Sequence, residues 1–511
     1  MVEREWREAS DLRTSRMTLA IVLIAAAVLR LWAIHRGIPY AVQVDEPEIV
    51  ERAVNMMRSG SLNPHFFDYP GLTIYLQLVV SILRFISGGI SGEWYSLAQA
   101  SGGSFYLWGR IVTASFGVAT VLVVYQAGMR WGARHALLAS GLMAVLPLHV
   151  RYSHYVLTDT LLTFFVALTF LLSLVAHERG TFGSFVTAGA TAGLAAATKY
   201  NGGVALIMPL LACWMTVPLR PGRLKTACAA IAASALAFLL FAPYTILDLP
   251  AFLDNFARLA NQYRVAVVGE SLWVLYFKYL VRHTFGWPAL LLALGGMGLG
   301  IVRMVRGPGR VRWTLAVVFP LVYYVMLTTQ KIVFARYLLP LTPMMCVLAA
   351  AGVVSGVSLL RRYEIPRAAR TALIAALTIA ALLPPAIISV SSDREMAKES
   401  TVDQAYSWIV QNIPAGASIV LERRALLLPS QYRATYMTQL RRKSYEELRS
   451  EGAQYLVANS EAFGPALGAP HQYPDDYSDY MRLFTQSREV HTVKPTADMP
   501  GPELRILQIV P

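Results

Sequence analysis

The chain has 511 residues, of which 55% are hydrophobic and only 15% are charged, and its formal net charge is +14. Roughly a quarter of the residues of a soluble globular protein are charged, so the composition excludes an ordinary soluble protein and predicts one that crosses a membrane several times. Lys and Arg gather in the cytoplasmic loops of such proteins, so the positive charge does not indicate a nucleic-acid partner.

The N-terminal segment predicts that the chain starts in the cytoplasm. Residues 1–16 carry the arginines Arg4, Arg7, Arg13 and Arg16, and positive charge beside a first span stays on the cytoplasmic side. The apolar run 17–35 has no convincing small-residue cleavage site. We therefore expect it to remain as an outward-leading span, in contrast to a signal peptide, which is removed.

Further apolar runs approach the roughly 20 residues that a helix needs to cross a bilayer. They lie near residues 105–128, 135–151, 158–176, 181–198, 202–218, 225–245, 286–304, 313–330, 336–360 and 369–390. With the first run they predict an all-α transmembrane domain over residues 1–390 with about eleven helices. The cysteines, Cys213, Cys228 and Cys346, lie inside these runs, which indicates neither a disulfide framework nor a cysteine-based zinc site.

The apolar run 71–86 is ambiguous, and the distribution of charge decides its placement. If this run stays on the outer face, every strongly basic short loop lies on the side of the N-terminus, as the positive-inside rule requires. These loops hold Arg130/Arg134, Arg179, Arg220/Arg223/Lys225, Arg303/Arg306/Arg310/Arg312 and Arg361/Arg362/Arg367/Arg370. Residues 71–86 are therefore predicted to form an interfacial helix, with large outer loops at 37–104 and 248–285.

After residue 390 the composition changes. Helix-like patterns at 402–412 and 445–450 alternate with strand-like patterns at 417–421, 454–458 and 504–510. Such alternation is typical of a small α/β domain, and residues 391–511 are predicted to form one outside the cytoplasm. They carry no nucleotide-binding or nucleophile motif, so we expect an acceptor-binding or lid domain.

The first outer loop contains a dense group of acidic, His and aromatic residues. Its members are Asp45, Glu46, Glu48, Glu51, His65, Asp68 and Tyr69. Carboxylates at the mouth of a membrane domain are costly to bury, which favours a catalytic role. The alternative is structural, since Asp45 and Glu48 fit a capping box and Gly60 a helix stop. That alternative leaves Glu46 and His65 unexplained.

Basic residues on the predicted outer side break the positive-inside pattern. They are Arg151, Lys199, Lys331 and Arg336. Charges in such places tend to be functional. For Lys331 and Arg336 the alternative is that a long side chain snorkels at the end of a span, but the Tyr-Leu-Leu-Pro sequence that follows Arg336 favours a functional role.

Four short motifs follow one another along the chain. They are Asp45-Glu46 with His65 and the turn Tyr69-Pro70-Gly71, the loop Leu148–Asp159, the turn Ala197–Gly202, and Lys331 with Arg336-Tyr337-Leu338-Leu339-Pro340. In this order and spacing they resemble the glycosyltransferase C (GT-C) superfamily, most closely its protein O-mannosyltransferase and aminoarabinose-transferase branch. The likeness covers most of residues 15–390 and, more loosely, the C-terminal domain. Many members have Pro-Pro where this chain has Tyr-Pro-Gly, so the motif does not single out a subfamily.

The resemblance implies an enzyme that moves a hexose or pentose from a polyprenyl-phosphate carrier to an acceptor on the outer face, with inversion at the anomeric carbon. The attacking acceptor oxygen must lose a proton, which requires a positioned carboxylate as general base. Asp45 is the predicted base, with Glu46 and Asp159 as further catalytic carboxylates. The departing lipid phosphate gains negative charge, which fixed cations stabilise. The predicted contacts to the donor phosphate and lipid are Lys331, Arg336, Tyr337 and Lys199, and the predicted substrate contacts are His65, Asp68, Tyr69, Arg151, His154 and Tyr200.

The resemblance leaves the cofactor open, because some relatives use a divalent metal ion and others do not. Glu46, His65 and Asp159 are the candidate ligands. The expected partners are the polyprenyl-phosphate-sugar donor, membrane lipids, and a protein, lipid or polysaccharide acceptor. The absence of a eukaryotic targeting signal favours a bacterial inner membrane, with the N-terminus in the cytoplasm and the C-terminal domain in the periplasm.

Two other classes of protein stay open. A secondary transporter also carries charges within its membrane domain, but it should show paired, similar halves, and the sequence shows none. A non-catalytic subunit of an envelope assembly would have the same composition, and substitution of Asp45 would then leave any glycan unchanged.

Overall fold

The computed structural model describes residues 2–40, 43–100, 102–218, 221–262, 271–307, 309–330, 332–359, 366–423 and 426–510. The chain divides into two compact units. The helical unit comprises Met1–Ile34, Ile49–Ala100 and Trp108–Ser392, and the sheet unit comprises His35–Glu48, Ser101–Leu107 and Asp393–Pro511. The segment that contains Asp45 therefore belongs to the sheet unit, although it precedes most of the helical unit in sequence.

Helices dominate the chain up to Met396, as the sequence predicts. In chain order they are α1 Val2–Leu31, α2 Glu46–Ser59, α3 Leu72–Ile90, α4 Ser104–Gly128, α5 Ala133–Val145, α6 Pro147–Tyr152, α7 Thr158–Arg179, α8 Phe182–Thr198, α9 Ile207–Thr216, α10 Pro221–Phe241, α11 Tyr244–Leu247, α12 Leu249–Gln262, α13 Leu272–Tyr279, α14 Gly286–Arg306, α15 Arg310–Thr328, α16 Thr342–Leu359 and α17 Arg367–Met396. Two 3₁₀ segments, Tyr200–Leu206 and Ala335–Leu341, and a π-helical turn, Leu280–Phe285, lie between them.

Eight helical stretches among the described residues are long and apolar enough to cross a membrane. They are Leu72–Ile90, Ser104–Gly128, Thr158–Arg179, Gly222–Phe241, Leu272–Arg306, Arg310–Thr328, Ala335–Ser358 and Arg367–Asn412. The predicted multi-span helical architecture is confirmed in this coarser form, whereas the count of about eleven spans stays a prediction. The predicted span 135–151 is interrupted, because α5 ends at Val145 and α6 begins at Pro147.

The ambiguous run 71–86 forms most of helix α3. Leu72–Ile90 has a mean hydropathy of 1.6 and is long enough to span a bilayer. Length and composition therefore allow α3 to cross, and its placement on the outer face stays a prediction that rests on the distribution of charge.

Small residues let helices α14 and α16 approach closely. A Cβ on Gly296 would clash with the backbone carbonyl oxygen of Leu348, and one on Gly352 with that of Leu292. Close backbone approach over glycine is a common way for helices to associate within a membrane, where burial of apolar surface from water gives no driving force.

We expect Gly296→Val to destabilise the helical unit by roughly 1–3 kcal/mol, because the new side chain has no room against α16. Gly298→Val on the same helix is the matched control, since a Cβ at Gly298 meets no atom within 4 Å. Thermal unfolding of the two detergent-solubilised variants measures the effect. Equal unfolding temperatures would contradict the prediction.

The helices and strands of the sheet unit are α18 Thr401–Asn412, β1 Ser418–Glu422, β2 Arg433–Met437, α19 Tyr445–Ser450, β3 Tyr455–Asn459, α20 Ser460–Gly468, α21 Pro474–Gln486, β4 Arg488–Val493 and β5 Leu504–Gln508. The five strands form one sheet in the order β2-β1-β3-β5-β4. Strand β1 pairs in parallel with β2 and β3, and β5 pairs antiparallel with β3 and β4. Alternate β1 residues face opposite sides: Ile419 and Leu421 pack with α18 residues, and Val420 packs with α19–α21 residues.

The predicted alternation of helices and strands is confirmed for α18, β1, α19, β3 and β5. Strands β2 and β4 form the two edges of the sheet and were not predicted from the sequence. Their residues are mostly exposed or half-buried, so neither strand has the apolar run that marks a buried strand.

Glu422 is buried at the end of β1 and accepts hydrogen bonds from three separate parts of the sheet unit. Its Oε1 accepts hydrogen bonds from the backbone N–H of Leu440 at 2.7 Å and from the Tyr480 hydroxyl at 2.5 Å, and its Oε2 accepts from the backbone N–H of Asn459 at 2.9 Å. Burial raises the pKa of Glu422, although these hydrogen bonds and the nearby Arg423 act in the opposite direction.

A raised pKa in the folded state makes the contribution of Glu422 to stability dependent on pH. This contribution is fully present below the ordinary pKa of about 4.3 and is lost as the pH rises through the raised value. We therefore expect the unfolding temperature of the wild type, relative to Glu422→Gln, to fall as the pH rises above about 4. Calorimetry of the full chain measures it, with Glu489→Gln on the exposed edge as the control. A difference that is constant with pH would contradict the prediction.

Candidate functional site

Asp159, Lys199 and Arg336 form a buried group of opposite charges within the helical unit. Lys199 Nζ donates a hydrogen bond to Asp159 Oδ1 at 2.8 Å, and Arg336 Nε lies 3.6 Å from Asp159 Oδ2. The exposed fractions of the three residues are 3%, 9% and 7%. Charges at such depth require partners, because desolvation is costly. Arginine and lysine side chains are the usual partners of phosphate and carboxylate anions, so this group is a candidate site for an anion.

The local chain path explains why these side chains can converge. Asp159 lies in the first turn of α7, where the helix dipole stabilises a carboxylate. Lys199 lies between the end of α8 and the following 3₁₀ segment, and its carbonyl oxygen accepts a hydrogen bond from the Gly202 N–H at 2.7 Å. A Cβ at Gly202 would clash with the Ala195 carbonyl oxygen, so this turn requires a glycine. Arg336 projects from the second 3₁₀ segment.

Aromatic rings surround the Lys199 ammonium group. Its Nζ lies 4.5 Å from the ring centroid of Tyr337 and 5.8 Å from that of Tyr69, distances at which a cation is attracted to the face of a ring. The neighbouring Tyr200 donates a hydrogen bond from its hydroxyl to the Phe67 carbonyl oxygen at 2.9 Å. Six predicted site residues therefore lie together or next in sequence to this group: Tyr69, Asp159, Lys199, Tyr200, Arg336 and Tyr337.

A further polar pair, Asn201 and Tyr323, borders the charged group and was missed by sequence analysis. Asn201 Nδ2 donates a hydrogen bond to the Tyr323 hydroxyl oxygen at 2.8 Å. Tyr323 is completely buried and lies close enough to Asp159 to interact with it electrostatically. Tyr323 lies within an apolar run, where nothing in the sequence distinguishes it from a packing residue.

Two predicted substrate residues in the segment 37–104 contact residues of the segment 248–285. Asp68 forms an ion pair with Arg258 and accepts a hydrogen bond from Asn255 Nδ2 at 2.9 Å. His65 is exposed, and its Nδ1 lies 3.9 Å from Asp248 Oδ2. These contacts fasten the two segments together. A role of Asp68 or His65 in substrate binding stays a prediction.

Asp45 and Glu46 lie in the sheet unit, at the start of α2. The Asp45 N–H donates a hydrogen bond to Gln43 Oε1 at 2.7 Å, and Glu46 Oε2 accepts one from the Gln43 N–H at 2.9 Å. Glu46 is completely buried, whereas Asp45 is half-buried. The predicted helix stop is confirmed, because α2 ends at Ser59 and Gly60 adopts a φ of +72°.

The remaining predicted residues have different surroundings. His154 is buried, and its two ring nitrogens lie 2.9 Å from the Val150 carbonyl oxygen and 3.0 Å from that of Trp32, which favours a packing role. Arg151 is exposed near the end of α6. Lys331 lies outside the described residues.

Arg30 is a buried residue whose role was not predicted. It donates hydrogen bonds to the carbonyl oxygens of Ala144 at 2.9 Å and Met143 at 3.2 Å, and its guanidinium lies 2.8 Å from His149 Nδ1. These carbonyls belong to the last turn of α5, where the helix breaks before Pro147 and leaves backbone acceptors without partners in the helix. Arg30 therefore stabilises the break. The signal in the sequence was an arginine within an apolar span.

An apolar cavity of about 480 Å³ lies among helices α13 to α16. Its lining residues are Trp273, Val274, Phe277, Leu280, Leu290, Leu294, Met297, Pro320, Leu321, Tyr324, Leu341 and Met345. The 3₁₀ segment Ala335–Leu341 thus contributes Arg336 to the charged group at one end and Leu341 to the cavity at the other.

The candidate metal ligands do not form a recognisable metal site in the described part of the chain. There, no three His, Cys, Asp or Glu side chains lie close enough together to hold an ion. His65 faces Asp248, and Asp159 faces Lys199 and Arg336. A divalent ion stays an open prediction.

Comparison with solved structures shows which known proteins share this fold. The chain matches ArnT from Cupriavidus metallidurans in the apo state with a TM-score of 0.60 and 14% identity over 98% of each chain. It matches the same protein bound to undecaprenyl phosphate with a TM-score of 0.57 and 14% identity, over 96% of this chain and 97% of that one. The apo oligosaccharyltransferase of Archaeoglobus fulgidus matches with a TM-score of 0.58 and 14% identity, over 90% of this chain and 72% of that one. The fold is that of the GT-C glycosyltransferases, as the resemblance predicted.

The family comparison is more specific and covers a shorter segment. Residues 96–247 match the family described as dolichyl-phosphate-mannose-protein mannosyltransferase. This segment contains Asp159 and Lys199 but neither Asp45 nor Arg336. Comparison with curated protein sequences gives no match.

Proposed function

We propose that this protein is a membrane glycosyltransferase that transfers a sugar from a polyprenyl-phosphate-linked donor to an acceptor on the outer face of a bacterial inner membrane. The observation that carries the proposal is the buried group Asp159–Lys199–Arg336, which lies on a GT-C fold and places two cations beside one carboxylate.

This charged group suits the leaving group of the reaction. As the bond between the anomeric carbon and the phosphate oxygen breaks, the phosphate takes the electron pair and its negative charge grows. Arg336 can bind phosphate oxygens in bidentate fashion, and Lys199 supplies a point charge. Asp159 holds both cations in place before the donor arrives, so little reorganisation is needed in the transition state.

The apolar cavity supports a lipid-linked donor. It is bounded almost entirely by aliphatic and aromatic side chains, and Leu341 at its edge follows Arg336 within one short 3₁₀ segment. A polyprenyl chain can occupy such a cavity while its phosphate reaches the cations. The neighbour from Cupriavidus metallidurans was solved with undecaprenyl phosphate bound, which is why we choose this lipid as the first probe.

The acceptor side of the reaction requires a general base, and Asp45 is our candidate. The acceptor oxygen attacks the anomeric carbon from the face opposite the phosphate, its proton passes to the Asp45 carboxylate, and the configuration inverts. The acceptor is a protein, lipid or polysaccharide. An acceptor peptide is tethered to the Archaeoglobus fulgidus neighbour in one structure, and Zn is bound to that neighbour in another, so the assay includes peptide acceptors and a chelator.

The proposal is tested by transfer from radiolabelled donors. Purified full-length protein in nanodiscs is given a panel of polyprenyl-phosphate hexoses and pentoses with cell-envelope acceptors, with and without chelator. We expect release of polyprenyl phosphate and labelling of one acceptor class with at least one donor. No transfer of sugar from any donor to any acceptor would overturn the proposal. Loss of transfer with the chelator, and its recovery on addition of one divalent ion, would assign a metal.

A further inference from the structure

The segment that leads to Asp45 packs on the C-terminal part of the sheet unit. The ring of Tyr40 stacks on that of Tyr406 in α18, with centroids 3.8 Å apart and an interplanar angle of 14°. The Tyr40 carbonyl oxygen accepts a hydrogen bond from the Leu427 N–H at 2.7 Å. The Tyr40 hydroxyl donates a hydrogen bond to the Asp403 side chain. The backbone, the ring and the hydroxyl of Tyr40 therefore all contact the C-terminal part of the sheet unit.

The partners of Tyr40 are themselves held in place. Asp403 forms the capping box of α18 with Ser400, in which Ser400 N–H donates to Asp403 Oδ2 at 2.6 Å and Asp403 N–H donates to Ser400 Oγ at 3.2 Å. Tyr40 and Tyr406 also border the core cluster that contains Ile409 and Ile419. Tyr40 therefore contacts the capped N-terminal end of α18, a helix that packs on the sheet.

A second contact holds the residues just before Tyr40. A Cβ on Gly103 would clash with Ile38 and would come within 3.2 Å of the Pro39 side chain, so Gly103 packs directly against Ile38 and Pro39 within the sheet unit. Beyond Tyr40, the Gln43 side chain accepts the hydrogen bond from the Asp45 N–H. The chain ahead of Asp45 therefore has packing contacts at Ile38, Pro39 and Tyr40, and Asp45 itself is hydrogen-bonded to Gln43.

We propose that Tyr40 is a positioning residue that fastens the Asp45-bearing segment to the C-terminal part of the sheet unit, so that this part of the chain helps to orient the general base. This inference rests on the proposed function. It gives residues 393–511 a role in the transfer step itself, in addition to the acceptor-binding or lid role predicted from the sequence.

The test compares Tyr40→Ala, Tyr40→Phe and Trp408→Ala in the full-length protein. Tyr40→Phe keeps the ring and the backbone contact and loses only the hydroxyl. Trp408→Ala is the matched control. Trp408 lies on α18, as Tyr406 does, but its ring stacks on His491 with centroids 4.7 Å apart and not on the segment that leads to Asp45. The readouts are kcat, KM for the lipid-linked donor, binding of undecaprenyl phosphate, and the unfolding temperature.

A mispositioned general base slows the chemical step and leaves donor binding intact. We expect Tyr40→Ala to lower kcat about 10- to 100-fold with donor KM and undecaprenyl-phosphate binding unchanged. Tyr40→Phe should stay within about fivefold of the wild type, as the loss of one hydrogen bond predicts. Trp408→Ala should keep the wild-type kcat. Because Tyr406 is the other half of the same stack, Tyr406→Ala should add little to Tyr40→Ala in a double-mutant cycle.

The contrary outcomes separate the inference from the proposed function. A folded Tyr40→Ala protein with wild-type kcat overturns the positioning role alone, as does an equal loss in Trp408→Ala. A wild type that transfers no sugar from any donor overturns the proposed function and the inference together. If Tyr40→Ala does not fold, Tyr40→Leu replaces it, since leucine keeps apolar bulk without the flat stack, and the same outcomes apply.

Discussion

Arg336→Ala should reduce kcat/KM for the lipid-linked donor by roughly 10²- to 10³-fold, the size of effect that follows removal of a fixed group facing developing charge. Arg336 lies 3.6 Å from the Asp159 carboxylate and is 7% exposed, so it acts in a site from which water is largely excluded. There the interaction of a guanidinium with a phosphate is much stronger than in water. The binding of undecaprenyl phosphate should weaken as well, because the free lipid phosphate presents the same anion.

Arg336→Lys distinguishes the charge of the arginine from its shape. Lysine keeps the positive charge but cannot form two parallel hydrogen bonds to a phosphate, so we expect its activity to lie between those of the wild type and Arg336→Ala. Arg306→Ala, at the exposed end of α14, is the control for the loss of an arginine as such. Steady-state kinetics with a radiolabelled donor measure all three variants. Full activity in a folded Arg336→Ala protein would remove Arg336 from the phosphate site.

Asp45→Asn should lower kcat by about 10²- to 10⁴-fold, the range for loss of a general base. Asparagine has nearly the same shape and cannot accept the proton of the acceptor. The cations that hold the donor phosphate are unchanged in this variant, so the binding of undecaprenyl phosphate should be retained. The two predictions therefore differ in their readout, since Arg336→Ala weakens donor binding and Asp45→Asn does not.

Glu51→Gln is the matched control for Asp45→Asn, because Glu51 is an exposed carboxylate on α2, the helix that begins directly after Asp45. It should keep the wild-type rate. If Asp45→Asn keeps full activity, the general base lies elsewhere, and Glu46 and Asp159 are the next carboxylates to substitute. If Glu51→Gln loses as much activity as Asp45→Asn, loss of any negative charge in this region lowers the activity. The result for Asp45→Asn would then give no evidence that Asp45 is the general base.

The sequence by itself determined the class of fold and much of the charged group. Apolar runs report spans directly because the bilayer requires a fixed length of apolar helix. Charges among such runs stand out because their burial is costly. This reason pointed to Lys199 and Arg336, whereas the family resemblance pointed to Asp159. The alternation in residues 391–511 likewise predicted a small α/β domain, since helix and strand periodicities are local properties.

Only the tertiary structure decided which of these residues meet. Lys199 and Arg336 come from separate segments and converge on Asp159 because three helix ends pack together, whereas His65 and Asp68 face the segment 248–285. Tyr40 stacks on Tyr406, although the two residues lie far apart in the sequence, and no periodic pattern predicts such a pair. Local patterns in a sequence report what a segment can bury, but the partner against which it is buried is fixed by packing between distant segments.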